Sequence, residues 1–186
     1  NKKRGVFNRD DEFFLDAFSE HASLALENAR LYQADLIHAR VDKEIQIAAE
    51  MQQQLFPKEI IQIPSYELSA TVQPCASIGG DSYDIIPLKD GKFAITISDV
   101  SVKGIPAALL VSTLHALLRV FLQYPIELVE LVRRLNTLVY NNSPVERFIT
   151  FFIMIFDPVH HMFTYVNAGH NPPLLIRHGG KDIIKL

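Results

Sequence analysis

Phe93-Ala94-Ile95-Thr96-Ile97-Ser98-Asp99-Val100-Ser101-Val102-Lys103-Gly104-Ile105-Pro106-Ala107-Ala108-Leu109-Leu110 holds a strand, an acidic loop and the start of an apolar helix in one short run. The apolar residues up to Ser98 read as a strand, and proline beside the first helical position costs no hydrogen bond that the helix would otherwise make. Upstream, Gly79-Gly80-Asp81-Ser82-Tyr83-Asp84 sets a second aspartate beside glycine at a strand edge. A carboxylate that ends a strand and opens a loop is held on rigid backbone yet reaches solvent, which suits a hard divalent cation. Aspartate and glycine are also ordinary turn residues, so both readings stand at this point.

Composition narrows the field. Of the 186 residues, 48% are hydrophobic, enough for a substantial core, and the formal charge of -3 offers no basic field for nucleic acid. The single cysteine, Cys75, excludes an intramolecular disulfide and a thiolate zinc cluster and fits a reducing compartment, the cytoplasm. It reads as a small, half-buried residue. The longest apolar run, Phe148 to Phe156, is strand-sized, so no membrane segment is expected. The chain starts at Asn1 in mid-pattern and is expected to be a piece of something longer.

From Val6 to Phe56 there is neither glycine nor proline, which predicts one long helix or two nearly continuous ones. Asp10, Asp11 and Glu12 suit its start, and Pro57 follows its end. Phe14, Phe18, Ala22, Ala25, Ala29, Tyr32 and Leu36 trace one apolar stripe. A second, through Leu24, Leu31, Val41, Ile45, Ala48 and Leu55, has the three-four spacing of a coiled-coil seam and predicts a homodimer. Packing against the following domain is the alternative for its last turns.

After Pro57 the texture changes to short strands and tight turns. Strands are expected over Tyr66 to Val72, Tyr83 to Leu88 and Phe93 to Ser98, with an Asp90-Gly91 hairpin between the last two. Helices follow over Ile105 to Leu122 and Glu127 to Asn141, then strands over Phe148 to Phe156 and Met162 to Asn167, and a final hairpin of Leu174 to Arg177 with Ile183 to Leu186. Consecutive hairpins around a helical pair predict an α+β domain with antiparallel sheets and helices on one face.

Gly80-Asp81-Ser82-Tyr83-Asp84, then Ser98-Asp99-Val100-Ser101 with Lys103-Gly104-Ile105-Pro106-Ala107-Ala108-Leu109, then Asn167-Ala168-Gly169-His170-Asn171-Pro172-Pro173 together resemble the bacterial PPM-type serine phosphatases of the SpoIIE/RsbU kind. The resemblance covers roughly Ile47 to Leu186 and implies an antiparallel β-sandwich flanked by helices, C-terminally incomplete here and preceded by the long helix. It also implies two Mn²⁺ or Mg²⁺ ions sharing a water, with Asp99 bridging, the Val100 carbonyl as a backbone ligand and Asp81 in the same cluster. No protein nucleophile is implied, and Lys103 and Gly104 would meet the substrate. His170 is a minor candidate for a general acid and is read chiefly as a structural histidine. His115, His160 and His161 lack metal-ligand spacing, and Asp90, Asp157 and Asp182 read as turn residues.

The helix from Phe13 to Gln33 resembles the last helix of a GAF domain, and Ile47 to Pro57 is similar to the linker preceding the phosphatase in these proteins. The implied organisation is a GAF-like exit helix over residues 1–33, a signalling helix over 34–57 and a partial phosphatase domain over 58–186. The implied substrate is a phosphorylated anti-anti-sigma regulator of STAS type. Two departures matter. The family's later Thr-Asp-Gly segment and final aspartate are missing, so this piece is expected to bind metal weakly and to be inactive, and Val102 stands where relatives place glycine. Both favour the alternative of a non-catalytic PPM-like binding or signal-transmitting module.

Overall fold

The computed structural model describes residues 5–73, 77–143 and 146–186; Cys75 lies outside them. It divides into two compact units, residues 1–44 and 45–186. Helix α1, Arg9–Gln53, opens with Asp10, Asp11 and Glu12 in its first turn, where the carboxylates face the positive end of the helix dipole. Asn8 and Asp11 exchange reciprocal side-chain-to-backbone hydrogen bonds of 2.9 and 3.0 Å, a capping box that closes the helix start. In the first unit the apolar stripes face solvent in the single chain, including Phe14, Phe18, Leu24, Leu31 and Leu36.

The second unit is an α+β domain built on one four-stranded antiparallel sheet. Its strands β1 (Ser82–Pro87), β2 (Phe93–Val100), β3 (Ile149–Asp157) and β4 (Met162–Ala168) lie in that order, with β2 and β3 inside. The Asp90-Gly91 turn joins β1 to β2 as expected, with Gly91 at φ 77°. At the β3–β4 turn, Asp157 accepts hydrogen bonds from the backbone N–H groups of Val159 and His160, both 3.1 Å, so it is the turn residue its setting indicated.

Helices α2 (Ile105–Phe121) and α3 (Leu128–Asn141) cover one face of the sheet. Leu114, Leu118, Leu131 and Leu135 pack there on Ile86, Ala94, Phe151 and Ile153, which makes the main core. Strand alternation puts Asp84, Thr96 and Ser98 on this same covered side, and all three are buried. A small second sheet pairs β5 (Leu174–Arg177) with β6 (Asp182–Lys185).

One strand expectation fails. Residues 66–72 form no strand and contribute only an isolated bridge between Ile63 and Tyr66. An alternating sequence becomes a strand only when another edge accepts its hydrogen bonds, and among the described residues none pairs with this one. Its anchors are side chains instead: Ile63 is buried, and Tyr66 meets Phe156 edge-on with ring centroids 4.7 Å apart.

Candidate functional site

Antiparallel register builds the site. Ser82 pairs with Ser98, their hydroxyls 2.6 Å apart, so Asp81 and Asp99 flank the same end of neighbouring strands. Ser98 and Val100 point into the core and Asp99, between them, points out on the other face. The two carboxyl groups are near enough for a protonated Asp81 to donate a hydrogen bond to Asp99. Asp81 is thereby raised above the ordinary aspartate value, first by partial desolvation, then by the like charge of Asp99 and that hydrogen bond; His170 and Lys103 pull it down by less.

The pair opens on a groove of about 350 Å³ lined also by Thr71, Gln73, Tyr83, His170 and Asn171. Oxygen donors under mutual repulsion match the chemistry of a hard divalent cation. They make up only part of a ligand set: among the described residues no three His, Cys, Asp or Glu side chains are grouped to hold a metal.

Val102 lies in the loop after Asp99. Its φ is not positive; the left-handed position falls on Gly104, φ 75°, which caps α2. Val102 instead packs beside Val100, Ala107 and Val111. Gly80 lies against this loop, and a Cβ there would sit 3.1 Å from the Val102 carbonyl oxygen and 3.2 Å from that of Val100. Glycine at position 80 thus suits a close approach of two backbones. Lys103 is exposed beside the pair.

His170 is half-buried at the end of β4. Its Nδ1 lies 2.9 Å from Thr150 Oγ1, and that hydroxyl is 3.4 Å from the Asp99 carbonyl oxygen. Its own backbone N–H donates to Asn167 Oδ1 at 2.9 Å. These contacts brace β4 against β3 next to Asp99.

Reading the sequence missed an interior ion cluster. Asp84, 1% exposed, accepts from Arg119 Nε at 3.1 Å and Nη2 at 2.9 Å, and lies 2.8 Å from His115 Nε2. The backbone N–H of Ile85 donates to its other oxygen at 2.9 Å. This cluster fastens α2 to β1, three residues from Asp81. The available signal was His115 and Arg119 one helical turn apart in an apolar helix. Of the seam residues, Leu24 and Leu31 are exposed, and Ile45 and Ala48 are half-buried. Leu55 lies beyond the end of α1 and packs on Val100, Ala107 and Val111, a core contact of its own domain.

Residues 89–186, more than half of the chain, match the model of the family described as Stage II sporulation protein E. The matched stretch includes Asp99, Lys103, Gly104 and His170. Phosphoserine phosphatase RsbU of Bacillus subtilis (strain 168) is 33% identical over 136 residues, covering 73% of this chain and 40% of that protein. Phosphoserine phosphatase RsbP of the same organism is 26% identical over 136 residues, covering 71% and 34%. The solved structure of the RsbU and RsbW domains of Rv1364c from Mycobacterium tuberculosis aligns over 55% of this chain and 29% of that one, with 27% identity and a TM-score of 0.49. The chain therefore spans 40% or less of the length of these curated relatives. No helix among the described residues is long and apolar enough to cross a membrane.

Proposed function

The chain belongs to the Stage II sporulation protein E (SpoIIE) family, and on that premise we propose that it is part of a metal-dependent protein serine/threonine phosphatase of the PPM type. One observation carries the reading: the carboxyl groups of Asp81 and Asp99 stand together at the open end of two paired strands. Likeness to two proteins named phosphoserine phosphatases supports it.

In this reading Asp81, Asp99 and the Val100 carbonyl hold Mn²⁺ or Mg²⁺. The ions, when bound, stabilise charge on the phosphoryl oxygens. The chain's own residues place that chemistry: Asp99 is fixed by β2, Asp81 by the Gly79-Gly80 approach, and Lys103 draws the anionic substrate toward the groove. His170 serves as a brace through Thr150.

The substrate is a phosphoserine or phosphothreonine on an anti-anti-sigma regulator of STAS type. Residues 1–33 carry the exit helix of a GAF-like sensor, 34–57 the signalling linker and 58–186 the phosphatase portion. The exposed stripe through Leu24, Leu31 and Val41 pairs with a second copy of the chain. Full-length protein should release phosphate from a phosphoserine protein only with Mn²⁺ or Mg²⁺, and Asp99→Asn should abolish release; undiminished release by Asp99→Asn overturns the reading. The absence of a third grouped ligand among the described residues favours the second reading, a non-catalytic PPM-like module that binds a partner. That module would release no phosphate with either metal.

A further inference from the structure

Helices α2 and α3 do not close the core completely. Between them and the sheet lies a cavity of about 120 Å³ walled by Leu114, Val132, Leu135, Val139, Phe151 and Ala168. Domain interiors are packed nearly as densely as organic crystals, with few voids larger than a water molecule, so a space of this size beside the core is an exception. Water gains little there, because a buried water needs several polar partners and these six side chains offer none. A cavity of about 150 Å³ with Leu, Ile and Phe walls stays dry and takes up one benzene ring.

The mouth differs from the walls. Asn136, Tyr140 and Phe148 also line the cavity and are exposed, so it opens to solvent, and Arg147 lines it beside them. Among the described residues no Asp or Glu lines it. Arg147 is the one described arginine that is not exposed. Among the described residues, ion pairs engage Arg40, Arg119, Arg133 and Arg134, and none engages Arg147. A guanidinium drawn partly out of water without a counter-charge is costly, and its planar fork of donors matches a carboxylate. Its backbone is anchored through the next residue: the Phe148 N–H donates to Ser101 Oγ at 3.0 Å, and the Phe148 carbonyl accepts from the Ser101 N–H at 3.0 Å. A cation in a set place thus borders an apolar void.

We propose that this cavity binds a small apolar monocarboxylate, with its ring or short chain between α3 and the sheet and its carboxylate on Arg147. The two parts of such a ligand answer the two parts of the site. Burial of the apolar body supplies most of the affinity, and the guanidinium selects the anion over its neutral analogue. A polyanion does not suit a single cation among apolar walls. The cavity lies on the helix-covered face of the sheet, where Ile149 pairs with Val100 and Phe151 with Ser98, whereas Asp99 points to the other face. The proposal is therefore independent of what the aspartate pair holds.

The test titrates full-length protein with benzoate, hexanoate and benzamide by calorimetry, and reads contacts from the benzoate ring protons to the Leu135 and Val139 methyl groups by NMR. Benzoate should bind saturably, with a Kd of about 1 mM or tighter at the efficiency usual for small ligands. Arg147→Ala should weaken benzoate about 10- to 100-fold, the value of hydrogen bonds to a charged group. Uncharged benzamide should bind wild type no better than benzoate binds that variant. Arg147→Lys keeps the charge without the fork and should fall between the two. Val139→Phe fills the cavity and should abolish binding; the arginine variants, which leave the core intact, decide the matter if it does not fold. No saturable binding of benzoate or hexanoate up to about 10 mM overturns the proposal. So does benzoate affinity within twofold of wild type in Arg147→Ala, or the absence of contacts to the Leu135 and Val139 methyl groups.

Discussion

Replacing Gly80 by alanine puts a methyl carbon 3.1 Å from the Val102 oxygen, 3.2 Å from the Val100 oxygen and 3.4 Å from the Ala107 Cβ. The first two contacts are tighter than ordinary packing and involve backbone, which cannot swing aside as a side chain can. The φ of Gly80 is not positive, so alanine is conformationally allowed and recovers about 0.4–1 kcal/mol from the unfolded state. Overpacking costs about 1–3 kcal/mol, leaving a net loss of roughly 1–2 kcal/mol. For a chain of this size that lowers Tm by roughly 2–8 °C. The site should suffer more than the fold, because the displaced carbonyls flank Asp99, and small misplacements of a reacting geometry cost about tenfold or more in rate. Gly91→Ala is the control: it meets no atom within 4 Å but has φ 77°, so it costs stability through backbone strain at a remote turn. Thermal melts and Mn²⁺-dependent phosphate release, measured on both variants, separate the two effects. Full activity and Mn²⁺ affinity in Gly80→Ala would show that the close approach does not position the pair.

Arg119→Ala leaves the buried Asp84, among the described residues, with His115 and one N–H; because Arg119 is 48% exposed, the loss should be about 2–3 kcal/mol rather than the larger figure for a fully buried partner. Urea midpoints read it, and Arg119→Lys, which cannot reproduce the fork, should fall between the two. The raised Asp81 means that the folded state holds a proton more tightly than the unfolded one, so metal-free stability falls as pH rises from about 3.8 through the folded value. Asp81→Asn should remove that decline and melt higher than wild type at neutral pH in chelator; an unchanged pH profile would deny that burial and Asp99 raise Asp81. Leu31→Asp, at an exposed position, should halve the sedimenting mass without altering the melting of the phosphatase portion, whereas an unchanged mass would reject pairing through this stripe.

Much of the domain was legible in local pattern. The Asp90-Gly91 hairpin, the helices opening after Gly104 and Glu127 and the apolar run of β3 each carry their structure in period and punctuation, and the observed elements match to within a residue or two. Segment 66–72 has the same alternation and no strand, because pairing depends on a partner that local sequence does not specify. Asp84 shows the same limit within one motif. It looks like Asp81, three residues away, yet strand alternation turns it inward to Arg119 and His115 while Asp81 meets Asp99.

By itself the sequence determined which residue types stand at which element ends: one aspartate just before a strand and one near the end of another, glycine before a helix, a proline that lets that helix begin. Tertiary structure alone decided which of them meet. Antiparallel register set the two carboxyl groups side by side, and helix rotation chose Gln52 over the identical Gln53 and Gln54 to grip Gly79. The physical reason is that hydrogen bonding, like-charge repulsion and close packing act over a few ångströms in space, between groups that the chain separates by tens of residues.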